Sequence, residues 1–527
     1  MNFNDLTEKQ IAYIAKVHAD KDLTWNERMA KLMKYTGKSS VRTISYWITK
    51  LGLSEKGDVV SEEYEKAKTK KFNSKKKRFI ISWAQNNTPV HKEFLDNMEA
   101  YAKHINADIH IIAGRYKNPT SVFSDRDEEF WDERVTKYLD ANRHDIHKYL
   151  SILSDIKIQP TAVNPLNGLQ SISAENSTIL GHPRVHMQYL PVLEGQAPKI
   201  MMSTGACTVA NYVDSKAGKQ GEFHHTLGFV IAEIKDSEVF YARQVTATTD
   251  GNFNDLFFEV KKVKGKSTVS KTATVEAFVL GDLHVGDHEP RVLDETLNIF
   301  KKLKPKEIFL HDVFDGKAIS HHESKDPILQ YEKEMSGKNS LKNEINEMLN
   351  VLDKFKQYNV TIVKSNHDVF VDRWIKDNDW RKSSTPKNAL EYMEYAALLL
   401  SGKAKKGIIP YVINQRFPKF KTLDINDTVF IKGYNVGQHG HTGVSGSRGS
   451  IQQYRRLNQK SVTGHSHVPM RFDGALSVGT STKLRVGYNN GPSAWGWSHV
   501  IIHGNSKSQH INFIEDKKGK LGYTTLQ

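Results

Sequence analysis

Apolar positions recur every three to four residues along roughly the first 55 residues and predict three short helices. Thr7-x-x-Gln10 and Thr24-x-x-Glu27 are capping-box patterns that start the first two. Ile11, Ile14 and Ala15 make one stripe, and Trp25, Met29, Leu32 and Met33 a second. Gly37 breaks the chain, Ser39 or Ser40 can cap, and Val41, Ile44, Trp47, Ile48 and Leu51 form a third stripe that ends at Gly52. Two helices joined by a tight Gly-containing turn describe a helix-turn-helix. Opposite the third stripe stand Arg42, Thr43, Ser45, Tyr46 and Lys50, groups able to meet phosphates or base edges. A plain protein-interaction module uses the same three-helix pattern.

Beyond residue 78 the period changes. Residues 79–84 read as a buried strand, a helix follows from Thr88-Pro89 to about His104, and 108–112 return as a strand, a β-α-β unit. Residues 128–153 are expected to be helical, and 160–250 to be mostly short strands between Gly and Pro turns. In the second half, the apolar runs 275–280, 308–310, 360–363, 429–431 with 434–436, and 462–463 predict short buried strands. A charged, helix-periodic insert at 326–357 is expected to cover their sheet.

Each of those runs ends in metal-ligand chemistry. The segments are Gly281-Asp282-Leu283-His284, His311-Asp312-Val313-Phe314-Asp315, Ser365-Asn366-His367-Asp368, Gln438-His439-Gly440-His441 and Gly464-His465-Ser466-His467. Carboxyl ends of adjacent strands are where an open α/β sheet places its chemistry. A phosphodiester repels hydroxide, so its hydrolysis at neutral pH needs a cationic clamp and an activated water, which two divalent ions supply. Such a pair needs mixed O and N ligands and a bridging carboxylate. Asp282, His284, Asp312, Asn366, His439, His465 and His467 provide that inventory, and His367 is left free to act as an acid. Any one of these short motifs alone is weak, and with 23 His in the chain, pairs such as His321-His322 are assigned nothing.

The order Asp-x-His, Asp-x-x-Asp, Asn-His-Asp, His-Gly and Gly-His-x-His resembles the calcineurin-like metallophosphoesterase superfamily, over roughly residues 271–503. The resemblance implies a four-layer α-β-β-α sandwich. It implies one metal held by Asp282, His284, Asp312 and His467. A second would be held by Asn366, His439 and His465, with Asp312 as the bridge. It casts His367 as the general acid and Asp368 as the group that orients it. His311 and Ser365 stand where the family has glycine, so a side chain there reshapes the pocket. His311, Asp315 and His441 are expected to support the ligands or touch substrate. Arg373 and the Gly-, Ser- and Arg-rich stretch with Arg448 are candidates to clamp a nucleotide strand.

Charge sharpens the substrate class. Lys and Arg number 75 against 60 acids, a formal +15, which favours a polyanionic partner. Residues 66–78 hold eight Lys or Arg, among them Lys75, Lys76 and Lys77, and no acid. A solvated linker has that composition, and so does a segment that tracks a phosphate backbone. Cys207 is the lone cysteine, which suits a reducing compartment. No signal-like N-terminus or membrane-length apolar run is present, so a cytoplasmic chain that meets no membrane is expected.

The expected divisions are a helix-turn-helix-like domain (1–60), a basic linker (61–78), an α/β accessory domain (79–270), the phosphoesterase domain (271–505) and a tail (506–527). Taken together they predict a DNase using two Mn²⁺ or Mg²⁺ ions, with DNA as partner, assembly as a homo-oligomer, and a regulatory protein partner left open. At whole-chain level the sequence resembles phage-encoded nucleases that degrade host DNA, the pre-early DNases of T-odd siphophages, which implies exonuclease action. The alternatives are a phosphoprotein phosphatase, a cyclic-nucleotide phosphodiesterase, or a DNA-binding regulator on a non-catalytic fold.

Overall fold

The computed structural model describes residues 6–20, 22–23, 25–37, 41–51, 53, 69–71, 74–116, 130–173, 175–382, 386–487, 489–516 and 518–523. The chain divides into two compact units, Met1–Lys70 and Lys71–Gln527. Within the described residues the fold is mixed α/β.

The first unit holds α1 (Glu8–Ala19), α2 (Trp25–Thr36) and α3 (Val41–Lys50). The capping box forms at α1, where Thr7 and Gln10 exchange side-chain and backbone hydrogen bonds. Thr24, Ser39, Ser40 and Gly52 lie outside the described residues. Ile14 and Val17 of α1, Met29 and Leu32 of α2, and Ile44, Trp47 and Ile48 of α3 close one small core. The predicted stripes therefore face one another.

In the second unit, β1 (Arg78–Gln85), α4 (Lys92–His104) and β2 (Asp108–Gly114) form the expected β-α-β unit, with β1 and β2 parallel. Gly228–Ile234 and Phe240–Thr246 extend their sheet. The helix expected over 128–153 does not form. Only Glu133–Thr136 is helical, and Leu139–Asp140, Arg143–His147 and Leu150–Leu153 are strands. Asp140 Oδ1 accepts from the Asn142 backbone N–H at 2.7 Å, a turn that ends helical continuation. Leu150 and Ile152 then bury against the neighbouring sheet.

Farther along, β3 (Val275–Val279), α5 (Pro290–Leu303), β4 (Glu307–His311), α6 (Leu341–Leu352) and β5 (Val360–Val363) build a second parallel sheet with helices on its outer face. Leu293 and Phe300 of α5 and Ile345 and Met348 of α6 pack there in the main core. Ser498–His503 pairs antiparallel with β3, and Ser508–Asn512 with Ser498–His503. The stretch read as a tail thus opens with a buried strand. A larger sheet carries β6 (Tyr434–Asn435) and β7 (Lys460–Thr463), parallel to each other. Ala277, Phe309 and Val363 face Tyr434, Val462 and Leu476 between the two sheets. Met470–Phe472 pairs with His186–Leu190, so residues from 79–270 and 271–505 share one continuous sheet. No helix of the described residues is long and apolar enough to cross a membrane.

Candidate metal centre

Each of the five segments begins just past a strand. Gly281 follows β3, Asp312 follows β4 and Ser365 follows β5; across the interface His439 follows β6, and His465 and His467 follow β7. Parallel pairing puts the carboxyl ends of β3, β4 and β5 at one edge. The loops are then tied to one another. Leu283 and His284 N–H donate to the carbonyls of His311 and Asp312 at 3.1 and 2.6 Å, and Gly464 N–H donates to His439 O at 2.7 Å. His465 N–H donates to Asp282 Oδ2 at 2.6 Å. These ties hold His284, Asp312, His465 and His467 at φ 39°, 45°, 71° and 57°. A left-handed backbone is uncommon for residues with a side chain and persists only where surroundings impose it. Gly464 is glycine for a spatial reason: a Cβ there would lie 2.1 Å from Asp282 Oδ1.

Asp282, His284, Asp312 and His467, all buried, each offer one ligand atom within 4.8 Å of the others. His284 Nε2 is 3.2 Å from Asp312 Oδ2 and 3.1 Å from His467 Nε2, and His467 Nε2 is 3.2 Å from Asp282 Oδ2. Asp282, His311 and His439 make a second such group. His439 Nε2 is 3.1 Å from Asp312 Oδ2, and its Nδ1 is 3.3 Å from His311 Nδ1. The His465 and His441 rings lie 5.4 Å from that of His439. Of the expected second ligand set, His439 meets Asp312 directly, and His311, expected only as support, offers a nitrogen beside it.

The donors fit a divalent cation. Oδ1 of Asp282, Asp312 and Asn366, and Nε2 of His311, are buried with no hydrogen-bond partner. A buried polar atom left so costs about 1–3 kcal/mol, whereas a cation would satisfy several at once. Burial alone would raise the pKa of Asp282 and Asp312. The imidazoles of His467 and His439 hold Asp282 below the ordinary carboxylate range, and those of His439 and His284 hold Asp312 well below it. Burial pushes His311, His441 and His465 down to about 4, leaving them in the neutral form that binds metal.

Asp315, read from the sequence as a candidate support, meets His284. Its Oδ1 accepts from His284 Nδ1 at 2.9 Å, which aims Nε2 at the cluster. His367 lies at the same place, its Nδ1 donating to the Asp315 carbonyl at 2.6 Å and its ring stacked on Phe370 at 4.6 Å. Asp368, expected to orient His367, does not. Its Oδ2 accepts from Ser365 N–H at 2.9 Å, and its burial pushes its carboxyl up to about 6. Adjacent residues on the turn point apart, so the orienting group for His367 is Asp315. Sequence reasoning missed Phe370, and also Trp495, whose ring meets that of His467 at 4.2 Å. Neither carries a ligand atom that a motif could flag.

The expected nucleic-acid contacts fall in both units. Arg373 is exposed and donates to His321 Nε2 at 3.3 Å; His321 in turn lies edge-on to Phe370. Arg448 is exposed. Lys75 and Lys77 are exposed, while Lys76 pairs with Asp108 at 2.8 Å, a structural anchor. In the first unit, Tyr46 and Lys50 are exposed with the ammonium 6.0 Å from the ring. The Arg42 side chain lies outside the described residues.

These features define an α/β protein with a buried Asp/His centre able to hold divalent metal. No family model matches the chain, and no solved structure does. Protein A1 of Escherichia phage T5 is 30% identical to it over 475 residues, covering 84% of this chain and 83% of that protein. The chain belongs to the family of that phage protein.

Proposed function

We propose that the chain is a metal-dependent phosphodiesterase of the calcineurin-like kind that cuts DNA. The observation that carries this reading is the buried Asp282–His284–Asp312–His467 cluster at the strand ends, where Oδ1 of Asp282 and of Asp312 has no hydrogen-bond partner. Asp282, His284, Asp312 and His467 would hold one Mn²⁺ or Mg²⁺ ion, and Asp312, Asn366, His439 and His465 the other, with His311 beside them. When bound, the ions neutralise charge on the scissile phosphate and lower the pKa of water.

The chain's own residues do the rest. The Asp315 carbonyl holds His367 Nδ1–H, which leaves Nε2 as the nitrogen able to exchange a proton. Burial lowers the His367 pKa while Asp312 pulls it up. A phosphodiester brought alongside adds negative charge, so the ring takes up a proton with substrate and passes it from Nε2 to the leaving sugar oxygen. Arg373 and Arg448 stand on exposed surface to meet backbone phosphates, as do Lys75, Lys77 and the α3 face. The excess of 15 positive charges supports a polyanionic substrate. Kinship to a phage protein supports host DNA, in the host cytoplasm, as the target. Exonuclease mode and a homo-oligomeric assembly belong to the same proposal.

The test is cleavage of linear and closed-circular duplex DNA with Mn²⁺, Mg²⁺ or EDTA, alongside Asp312→Ala and His367→Ala. Metal-dependent loss of the linear form only, abolished in both variants, is expected. DNA bound but uncut under every condition would replace this reading with that of a DNA-binding regulator.

A further inference from the structure

A second polar site lies away from the metal centre, at the other end of β7. Lys460 opens that strand, and Thr463, two residues before His465, closes it about 10 Å away at about 3.3 Å per residue. Here a cavity of about 330 Å³ is lined by Arg455, Lys460, Arg471, Lys507, His224 and Phe223, among others. Its volume falls in the range of small-ligand sites, about 300–1,000 Å³.

The charge in this cavity is unbalanced. Arg471 is 5% exposed; it donates to Ser508 O at 3.3 Å, and its Nε has no acceptor. Among the described residues neither Arg471 nor Lys507 forms an ion pair. Burial pushes the Lys507 ammonium down to about 8, with Lys460 and Arg471 adding repulsion. The carboxylate on the cavity wall, Asp473, is already committed. It accepts from Arg455 Nε at 3.0 Å and from His186 Nε2 at 3.1 Å, and pairs with Arg455 Nη2 at 2.8 Å and Arg184 at 3.5 Å. These contacts hold its carboxyl far below the ordinary range, despite burial. A buried guanidinium with an unused donor is costly unless an anion meets it. On the rim, Phe223 is 76% exposed and packs edge-on to His224 at 4.9 Å, leaving a ring face for stacking.

We propose that this cavity binds a nucleotide, with its phosphate on Arg471 and Lys507 and its base against Phe223. The site is independent of the metal centre. A nucleotide held there is placed to act as an effector or as a retained product of nucleic-acid hydrolysis.

The test is calorimetric titration of the full chain in EDTA with dAMP, deoxyadenosine and inorganic phosphate. Wild type should bind dAMP, and deoxyadenosine about tenfold or more weakly. Lys507→Gln and Arg471→Gln should each lose about tenfold or more in dAMP affinity. Phe223→Ala should weaken dAMP and leave phosphate unchanged. Asp312→Ala should bind as wild type, which separates this cavity from the metal centre. Should Arg471→Gln fail to fold, Lys507→Gln decides, because that side chain is partly exposed and its loss leaves no partner stranded. Absence of dAMP binding to wild type, or undiminished binding by Lys507→Gln, overturns the proposal. Phosphate binding as tightly as dAMP, with Phe223→Ala silent, overturns the nucleotide and leaves a free-phosphate site.

Discussion

Gly464 shows how one residue can govern the metal centre without touching metal. Its backbone passes so close to Asp282 that even an alanine methyl would displace the carboxylate. Gly464→Ala is expected to lower Mn²⁺ affinity about 10–100-fold with little change in thermal midpoint. Titration of the metal-free chain reads this directly, and unaltered affinity would remove Asp282 from the ligand set. At this scale the sequence was informative about ligand types, because Asp, His and Asn announce their chemistry. It was silent about direction. Whether Asp368 or Asp315 meets His367 depends on the turn at 365–368, whose hydrogen bond from Ser365 N–H turns Asp368 away. His311 was legible as an oddity, and its place beside His439 only in three dimensions.

Elements were legible where burial is complete on both faces. Strands β3, β4 and β5 appear as apolar runs because helices cover one face and a second sheet the other. Residues 128–153 misled because their apolar positions fit a helical period, and the turn at Asp140–Asn142 wins locally. Burial also conceals polar links between elements. Asp255, fully buried, accepts two bonds from Arg243 at 2.7 Å, one from Tyr101 at 2.6 Å and one from Gln509 at 2.8 Å. It thereby joins the sheet of β1, helix α4 and the strand Ser508–Asn512. Asp255→Ala strands a buried guanidinium beside Glu233 and should cost about 3–5 kcal/mol in denaturant unfolding. A loss below about 1 kcal/mol would mean that this network is solvated.

For the molecule as a whole, buried histidines set the response to acid. Burial holds His182, His499 and His510 down to about 3, and His110, His225 and His503 to about 4. Each is neutral when folded, and an unfolded imidazole titrates near about 6.5. Their contribution to stability is full above that value and is lost as pH falls through it toward about 4. The urea midpoint should therefore be nearly level from about pH 9 to 7 and drop steeply from about 6 to 4. A level midpoint down to about pH 4.5 would contradict the burial assigned to these rings. The division at Lys70 leads to another expectation. A chain starting at Lys71 should keep metal-dependent hydrolysis of a small phosphodiester, bind duplex DNA more weakly, and show a shallower salt dependence. Equal DNA affinity and salt slope would assign the three-helix unit to protein contacts instead.

The sequence by itself determined which side chains could bind metal, which apolar runs would become strands, and the basic balance that favours a polyanion. Those properties are local, since they follow from side-chain chemistry and from spacing along the chain. Tertiary structure alone decided that 79–270 and 271–505 share a sheet, and that residues after 505 open with a core strand. It also decided that Arg471, Lys460 and Lys507 converge on one cavity whose lining includes none of the Asp/His cluster. Such facts depend on which strands pair over hundreds of residues, and pairing of that range is selected by the joint burial of many distant faces.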